Sequence, residues 1–403
     1  MEFIFSPEDQ AFRQQIRQFL REHMPAEMAQ RGWMDFHPAP KADRQAWQAL
    51  LHAQGWGVPH WPRQFGGTDW SPIQHHIFEE ECSLAFAPLI VSAGISLLAP
   101  VLQNFGSKAQ QDRYLGPIAR GEELWMQGFS EPGAGSDLAS LRTSAMRDGD
   151  HYVVNGQKTW SSEAQYAKRG FFLVRTDPTA KPQKGISFLI IDLDTPGVTI
   201  RPIIGIDGNH NVNEVFLEQV RVPVANLVGE ENKGWDYAKF LLGNERTASA
   251  EIHWTREEII KIKHIARHER TADGATLWNS PDFRRKIARL EMDLQALEWS
   301  VLRVLCDAPN RYDAAAVTSA LKVRGSELQQ RATELGIEAL GEKALRFYDG
   351  YADPAIGNPE ERTAWPDYVP GRTAVHLYMR AATVYGGARE VQKNIIAKRA
   401  FGL

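Results

Sequence analysis

Two polar segments of the sequence have the composition of ligand-binding loops. Residues 129–137 read FSEPGAGSD, and their two glycines and one proline make a tight loop whose backbone N–H groups are sterically accessible. Such a loop suits an anionic or carbonyl-rich ligand. Residues 155–162 read NGQKTWSS and place an aromatic side chain, Trp160, among hydroxyl side chains. Either segment alone is compatible with a surface turn or a sheet edge, but their proximity in the sequence favours a shared binding site.

Glu245 is the candidate for acid–base chemistry. On a predicted helix its neighbours at three and four residues are apolar or small: Leu241, Leu242, Ala248 and Ser249. Because burial disfavours the charged form, these surroundings would raise the pKa of the carboxyl group toward that of a useful base. Gly243 costs about 1 kcal/mol of helix propensity relative to alanine, and close approach of a ligand would explain it. The alternative is a structural glutamate paired with Arg246 or with a lysine.

Other common catalytic motifs are absent from the sequence. It has no GxxxxGK[ST] phosphate loop, no HExxH and no GxSxG. Gly133 and Gly135 begin a GxG pattern, but Leu138 stands where a dinucleotide fingerprint requires glycine. His75 and Glu79 have the spacing of two metal ligands on a helix, although a solvated helix face explains them equally well. With no third ligand nearby, we expect no metal site.

The composition is that of an ordinary folded protein. Of 403 residues, 43% are apolar and 24% are charged, and 46 basic against 50 acidic residues give a net charge of −4. These values exclude extensive disorder and argue against nucleic-acid binding, which usually requires a basic excess. The two cysteines cannot form a disulfide framework.

The segment 82–107 contains no charged residue, so its length alone would allow a membrane span. Its prolines, glycines and polar side chains instead favour two short helices buried in protein. The first ten residues, MEFIFSPEDQ, do not have the pattern of a signal peptide. We therefore expect no membrane association and a cytoplasmic location.

The hydrophobic patterns predict an α+β, mainly α fold with a helical, a β and a second helical domain at 1–122, 123–229 and 230–403. Ser6–Pro7 and Ser71–Pro72 are typical helix starts. Residues 152–160 predict a hairpin that turns at Asn155–Gly156. Further strands are expected at 171–174, 186–193, 198–204 and 215–222. Helices are expected at 283–305, 314–345 and 373–401, within a C-terminal four-helix bundle.

In order and spacing, the two polar segments resemble the acyl-CoA dehydrogenase family. The resemblance covers nearly the whole chain and includes Trp61–Pro62 with Gly66–Gly67, the run 220–230 (VRVPVANLVGE) and the run 385–397 (YGGAREVQKNIIA). Within the family, the run 241–247 (LLGNERT) makes it most similar to the large subunits of pimeloyl-CoA dehydrogenases. The resemblance implies an FAD-dependent conversion of an acyl-CoA thioester to the trans-2-enoyl-CoA.

The resemblance also implies roles for individual residues. The FAD contacts would come from Gln127, Phe129, Ser130, Gly135, Ser136, Trp160, Ser161, Ser162, Ala388 and Glu390. Among these, Trp160 would pack on the flavin face, and the Ser162 hydroxyl would lie near the flavin N5. The substrate contacts would come from Ser136, Gly243, Arg246 and Gly387.

The family places its catalytic glutamate at one of two positions. One follows the tyrosine of the C-terminal motif, and Gly386 occupies it here. The other precedes the arginine of the helix after the β domain, and Glu245 occupies it. By the resemblance, Glu245 is the base that removes the α-proton, while the β-hydride passes to the flavin N5.

Two departures from the family pattern bear on assembly. Residues 276–283, TLWNSPDF, lack the arginine and Gln-Phe-Gly motif that reaches the FAD of a neighbouring subunit, and the glycine-rich loop is altered to EALGEK at 338–343. The resemblance implies a family-type tetramer, either of this chain alone or with a homologous small subunit, and an electron-transferring flavoprotein as electron acceptor. Two alternatives stay open: a non-catalytic or half-site subunit of a hetero-oligomer, and an oxidase or monooxygenase on the same fold.

Overall fold

The computed structural model describes residues 5–33, 39–88, 92–244, 250–306, 313–346 and 365–403. Within these ranges helices come first, seven strands follow between residues 125 and 223, and helices return from Gly234 to Phe401. The chain therefore has an N-terminal helical domain, a middle β domain and a C-terminal helical domain, which confirms the predicted fold class. The domain bounds given above stay predictions.

The N-terminal domain begins its helices where the sequence indicates. The hydroxyl groups of Ser6 and Ser71 each accept a hydrogen bond from the backbone N–H three residues on, and a proline follows each serine. The side chains of Asp9 and Gln74 in turn accept hydrogen bonds from the serine N–H groups. The helices are α1 (Pro7–His23), α2 (Ala26–Trp33), α3 (Lys41–Ala53), α4 (Pro72–Leu84), α5 (Ala99–Phe105) and α6 (Lys108–Ala119).

The charge-free segment contributes to the protein core. After α4, Ala93–Leu98 forms a π-helical turn that leads directly into α5. Leu98, Val101 and Leu102 are fully buried in the core that these helices share with the sheet. In the described ranges, no helix combines the length and the apolar character that a bilayer crossing requires.

The middle domain is a single sheet of seven strands among the described residues. They are β1 (Trp125–Gly128), β2 (Ser144–Asp148), β3 (His151–Ser162), β4 (Arg169–Arg175), β5 (Ile186–Asp192), β6 (Val198–Ile204) and β7 (His210–Pro223). The order across the sheet is β1, β4, β2, β3, β7, β6, and β5 pairs with β4. Strands β1 and β2 run parallel to β4, and the other pairs are antiparallel. The four strands expected after the hairpin are therefore present.

The hairpin turn predicted at Asn155–Gly156 is wrong. Both residues lie inside β3, and the hairpin turns instead at Gly149–Asp150, between β2 and β3. The Asn155 side chain accepts hydrogen bonds from the backbone and side-chain N–H groups of Gln219, at a bulge between β3 and β7. A Cβ on Gly156 would lie 2.5 Å from Thr143 Oγ1. Contacts with neighbouring chain segments, rather than a turn, therefore require this Asn-Gly pair.

The C-terminal domain packs α8, α9 and α10 around an apolar core. Its described helices are α7 (Gly234–Asn244), α8 (Ile252–His268), α9 (Pro281–Leu305), α10 (Ala314–Leu340), α11 (Arg372–Tyr378) and α12 (Arg389–Phe401). The helices expected at 283–305 and 314–345 correspond to α9 and to α10 with its 3-10 extension Gly341–Leu345.

The helical segment expected at 373–401 is interrupted. A 3-10 turn at Met379–Thr383 follows α11, and Gly386 and Gly387 then take φ angles of +62° and +90°. This left-handed backbone is open to glycine at little cost and cannot continue a right-handed helix. The chain therefore changes direction before α12 begins at Arg389.

One apolar core joins the sheet to the helices beside it. Phe129 and Ala134 from the loop after β1, Phe188 from β5 and Leu241 from α7 all belong to this core. The first residue of α7, Gly234, touches β5 so closely that a Cβ would lie 2.5 Å from a backbone carbon. Helix α7 is thus fixed against the same core as the loop after β1.

Candidate active site

The two polar segments lie side by side at one end of the sheet. The glycine loop (residues 129–137) follows β1, and the tryptophan segment (residues 158–162) ends β3. The Thr159 N–H donates a hydrogen bond to the Ser130 carbonyl oxygen at 2.9 Å. Glu131 and Ala134 exchange two backbone hydrogen bonds of 3.0 Å, which close the loop on itself. The structure therefore brings together two segments that the sequence only suggests are neighbours.

A buried ion pair that the sequence reasoning missed links the two segments. Lys158 is fully buried, and its Nζ lies 2.8 Å from the Glu131 carboxylate. Burial lowers the pKa of Lys158 to about 8, although Glu131 opposes the shift. Burial also disfavours the Glu131 carboxylate, but the charge of Lys158 and the hydrogen bonds from Lys158, Thr143 and Arg142 together outweigh burial and hold the pKa of Glu131 below its usual value. The signal in the sequence was a lysine at an inward position of a strand, which requires a buried partner.

Trp160 combines an exposed side chain with an unfavourable backbone conformation. The residue is 63% exposed, and its φ of +58° lies in the left-handed region that bulky residues seldom adopt. It stands in an irregularity of the β3–β7 pairing between Lys158 and Ser161. Both features cost free energy in the isolated chain, and such strain is typical of positions that meet a ligand.

The other predicted cofactor residues occupy two kinds of position. Phe129 is buried and packs edge-on against Phe171, so its side chain is not available to a ligand. The Ser161 hydroxyl is buried and has no hydrogen-bond partner in the described part of the chain. The remainder from the two segments and β1 are half-buried or exposed: Gln127, Ser130, Gly135, Ser136 and Ser162.

These residues fit a ligand that combines a flat ring with an anionic group. Trp160 offers an aromatic face for stacking. A Cβ added to Gly133 or Gly135 would meet no atom within 4 Å, so the loop backbone is open to close approach. The exposed Ser136 and Ser162 hydroxyl groups add hydrogen-bonding capacity in the same two segments. FAD, with its planar ring system and pyrophosphate, matches this set of groups.

The predicted base, Glu245, and the predicted substrate contact Arg246 lie outside the described residues. Helix α7 is described as far as Asn244, and it includes Gly243. Leu241 is buried in the core that contains Phe129, whereas Leu242 is 56% exposed. The apolar surroundings and the catalytic role of Glu245 therefore both stay predictions.

The far end of the tryptophan segment lies near both helical domains. Glu163, which follows Ser162, forms an ion pair of 2.5 Å with Arg44 of α3. Tyr378, at the end of α11, is close enough to be influenced by Glu163: burial first, then the negative charges of Asp207 and Glu163, raise its pKa. The N-terminal and C-terminal domains thus both approach the end of β3.

Three residues of the C-terminal motif are predicted to contact the cofactor or the substrate. Among the described residues, no hydrogen bond or ion pair joins them to the glycine loop. Ala388 precedes the first turn of α12, and Gly387 is exposed. Glu390 is exposed and accepts a hydrogen bond from Arg389 at 3.2 Å. Their predicted roles in cofactor and substrate binding stay predictions.

The candidate metal pair on α4 is engaged in other contacts. The His75 ring stacks on the His60 ring at 4.2 Å, and burial lowers the pKa of His75 to about 4. Glu79 lies 2.9 Å from His60 Nε2 and 3.6 Å from His253 Nε2. These contacts account for both residues without a metal ion.

A neighbouring cluster places potential ligand atoms of His76, Glu80 and Glu298 within 4.8 Å of one another. The Arg256 guanidinium already contacts both carboxylates, at 2.6 Å from Glu298. Because Arg256 supplies the positive charge that a metal ion would bring, the described contacts make this an ion-pair network between α4, α8 and α9.

Comparison with known proteins gives matches along nearly the whole chain. Three family models match in order: acyl-CoA dehydrogenase N-terminal domain at 6–122, middle domain at 127–220 and C-terminal domain at 232–401. The acyl-CoA dehydrogenase IpdE1 of Mycobacterium tuberculosis is 34% identical over 399 residues, 97% of both chains. The acyl-CoA dehydrogenase FadE29 of the same organism is 37% identical over 340 residues, 84% of this chain and 82% of that protein.

Solved structures show the same fold over the full length. The ChsE4-ChsE5 complex from Mycobacterium tuberculosis matches with a TM-score of 0.81 and 31% identity, over 100% of this chain and 99% of the other. The Tcur3481-Tcur3483 steroid ACAD matches with a TM-score of 0.81 and 27% identity, over 99% and 98%. Each of these two structures is named for two different chains.

Proposed function

The chain belongs to the acyl-CoA dehydrogenase family and is an oxidoreductase, and on this premise we propose that it dehydrogenates an acyl-CoA thioester between Cα and Cβ, with FAD as cofactor and Glu245 as base. The observation that carries the proposal is the exposed Trp160 indole beside an open glycine loop at one end of the sheet. Members of the family are flavoproteins that usually contain FAD, and the residues present here fit that cofactor.

The placement of the side chains suggests how FAD would be held. The ring system would stack on Trp160, and Ser162, exposed two residues later, would place its hydroxyl near N5. The pyrophosphate would accept hydrogen bonds from the glycine loop around Gly135 and Ser136, while Ala388 and Glu390 would contact the far end of the cofactor. When bound, FAD supplies the acceptor for the hydrogen and electron pair that leave Cβ.

Glu245 would remove the α-proton of the substrate. It follows a helix whose Leu241 lies in the same apolar core as the glycine loop, and an apolar boundary favours the protonated form of a carboxyl group and so strengthens it as a base. The Glu245 backbone N–H, together with a ribityl hydroxyl, would donate to the thioester oxygen, where negative charge develops. One such donor is typically worth roughly 3–4 kcal/mol of transition-state stabilisation.

The substrate would contact Ser136, Gly243, Arg246 and Gly387. The identity of its acyl group has to be determined by assay. The likeness to pimeloyl-CoA dehydrogenase large subunits suggests a dicarboxylic acyl group bound by cations of the C-terminal motif. Arg380, however, lies 2.8 Å from Glu334, and Arg389 already pairs with Glu390. A substrate panel therefore needs straight-chain and dicarboxylic acyl-CoA thioesters. It also needs ring-bearing thioesters, because one related structure is a steroid ACAD.

We further propose that the chain works in a tetramer of two copies with two copies of a homologous small subunit. In the segment without the family arginine, Trp278 lies under the guanidinium of Arg267, 4.6 Å from the ring centre. In the altered loop, Lys343 lies 2.6 Å from Glu269 on the same chain. Trp278 and Lys343 therefore contact residues of their own chain. The contacts that the family motifs make to the flavin of a neighbouring subunit would have to come from a partner chain. An electron-transferring flavoprotein would accept the electrons, in the cytoplasm.

The test of the proposed reaction is Glu245→Gln, with Glu218→Gln as a control at an exposed position of β7. Both variants should keep the flavin spectrum and bind acyl-CoA. Anaerobic addition of substrate should bleach the flavin in the control, whereas Glu245→Gln should lose the rate by several orders of magnitude, because no second base is proposed. A fully active Glu245→Gln protein would show that the base is misassigned.

The alternatives predict different results in the same experiment. A non-catalytic subunit would give no bleaching with any thioester, even with its partner present. An oxidase or monooxygenase would consume oxygen in proportion to substrate. The dehydrogenase should turn over with an electron-transferring flavoprotein or a dye and consume little oxygen.

A further inference from the structure

We propose that Lys158 is a positioning residue: its buried ammonium group, through Glu131, holds the glycine loop against the tryptophan segment and so organises the FAD site before the cofactor binds. The inference rests on the proposed function only in that both segments are taken to contact FAD. The contacts themselves all lie within this chain.

All three hydrogens of the Lys158 ammonium have acceptors. Its Nζ lies 2.8 Å from Glu131 Oε1, 3.1 Å from the Phe129 carbonyl oxygen and 2.7 Å from the Leu173 carbonyl oxygen. These acceptors belong to the glycine loop and to β4, while Lys158 itself is on β3. One side chain therefore ties the loop to two strands of the sheet, from two residues before Trp160.

Glu131 extends the connection to the far side of the loop. Its carboxylate accepts hydrogen bonds from the N–H groups of Arg142 at 2.7 Å and Thr143 at 2.9 Å. Because Glu131 also exchanges two backbone hydrogen bonds with Ala134, the turn that contains Gly133 is closed at its base. The exposed tip of the loop, which faces the proposed ligand, is thus carried on a rigid base.

A stability role alone does not explain a charged pair at this place. Taking two charges out of water is costly, and apolar replacements of buried ion pairs are often neutral or stabilising. Two charged groups are described around Lys158. Glu131, in the loop, favours its ammonium form and raises its pKa, whereas the positive charge of Arg175, at the end of β4, lowers that pKa. The ion pair fixes the geometry of the loop, because the three directional hydrogen bonds of the Lys158 ammonium restrict the loop position more closely than apolar contact does.

The test uses Lys158→Met in the full-length chain after removal of FAD. Hydrogen exchange should show that the hydrogen-bonded loop amides of Glu131 and Ala134 lose protection, about tenfold or more, while β4–β5 amides keep theirs. If the ordered loop is then present in only about 3% of molecules, the apparent Kd for FAD rises roughly 30-fold. Lys168→Met is the matched control, because its ammonium group is 60% exposed in a surface pair with Glu123.

The double variant Lys158→Met/Glu131→Gln separates positioning from stability. It contains no uncompensated buried charge, so its resistance to urea should recover toward the wild type, while loop protection and FAD affinity should stay low. Recovery of all three together would mean that the pair acts through stability, and would overturn the proposal. So would a Lys158→Met protein whose loop protection and Kd for FAD both stay within twofold of the wild type.

The pH dependence gives a second readout in the unmodified chain. Between about pH 7 and pH 9.5 the Lys158 ammonium should lose its proton, so loop protection, corrected for intrinsic exchange, should fall in the wild type and stay constant in Lys158→Met. A pH-independent wild-type loop contradicts the positioning role. A chain that binds no FAD but loses loop protection on Lys158→Met supports this role and contradicts the proposed function.

Discussion

Substitutions of Trp160 should affect FAD binding and the stability of the FAD-free protein in different ways. In the left-handed region of the backbone, a residue with a Cβ has a conformational free energy about 1–2 kcal/mol less favourable than that of glycine. In an ordinary strand, glycine is instead less favourable than alanine by roughly 0.5–1 kcal/mol. Since Trp160 has a φ of +58°, Trp160→Gly should be more stable than Trp160→Ala by about 1 kcal/mol, the reverse of the usual order.

Both variants should bind FAD poorly. Trp160 leaves 63% of its surface exposed, and covering that part of a large aromatic is worth roughly 2–4 kcal/mol at about 25 cal/mol per Å². Even the lower figure corresponds to a Kd for FAD at least about 30-fold higher. The stacking geometry would add about 0.5–1.5 kcal/mol.

The assay combines urea denaturation of the FAD-free chain with titration of FAD followed by its fluorescence. Trp299→Ala, at a 52% exposed tryptophan on α9, is the control for removal of an exposed indole. FAD affinity unchanged in Trp160→Ala and Trp160→Gly would refute the stacking role. A Trp160→Ala protein more stable than Trp160→Gly would refute the argument from the backbone.

Further expected outcomes concern packing, pH and assembly. Gly325→Ala on α10 should destabilise the fold by roughly 1–3 kcal/mol, because its Cβ would lie 2.3 Å from the Ala250 carbonyl oxygen. Gly336→Ala on the same helix, where the nearest atom is 3.7 Å away, should be neutral or stabilise by up to about 1 kcal/mol in urea unfolding; equal effects would contradict the packing argument. Burial opposes the Glu298 carboxylate, but His76 and Arg256 outweigh it and lower its pKa to about 2. Because the folded-state pKa lies below the unfolded one, this group stabilises the protein above about pH 4.5, and the contribution is lost as the pH falls through about 2. Glu298→Gln should therefore flatten the pH dependence of the free energy of unfolding in that window, and an unchanged profile would contradict the assignment. Light scattering with flavin quantitation should find about one FAD per two chains in the assembled tetramer; a fully active homotetramer with one FAD per chain would exclude the two-subunit proposal.

Local signals in the sequence were sufficient for most elements of the fold. The serine caps at Ser6 and Ser71 depend on residues within three positions, and β4 and β5 are short apolar runs with few alternatives. The pair Asn155–Gly156 was misjudged because its local turn preference competes with contacts to Thr143 and Gln219, which are distant in sequence. Tertiary contacts decide such positions.

The sequence predicts the two segments of the candidate site but not the contacts that join them. The motifs identify the glycine loop and the tryptophan segment, but the bond from Lys158 to Glu131 joins residues far apart in the chain. The exposure of Trp160 also follows from an irregularity in the β3–β7 pairing that the sequence does not signal. The break after α11 is different, because Gly386 and Gly387 are a local signal that the helical pattern obscured.

The most direct test of the proposed activity follows substrate and flavin together under anaerobic conditions. The chain, with its copurifying partner if there is one, is mixed with each thioester of the panel, and the absorbance of the flavin and the mass of the thioester are recorded. We expect that at least one thioester loses two hydrogens as one equivalent of flavin is bleached, and that neither change occurs with Glu245→Gln. Flavin-containing protein that leaves every thioester unchanged, or a product that gains oxygen when air is admitted, would contradict the proposed activity.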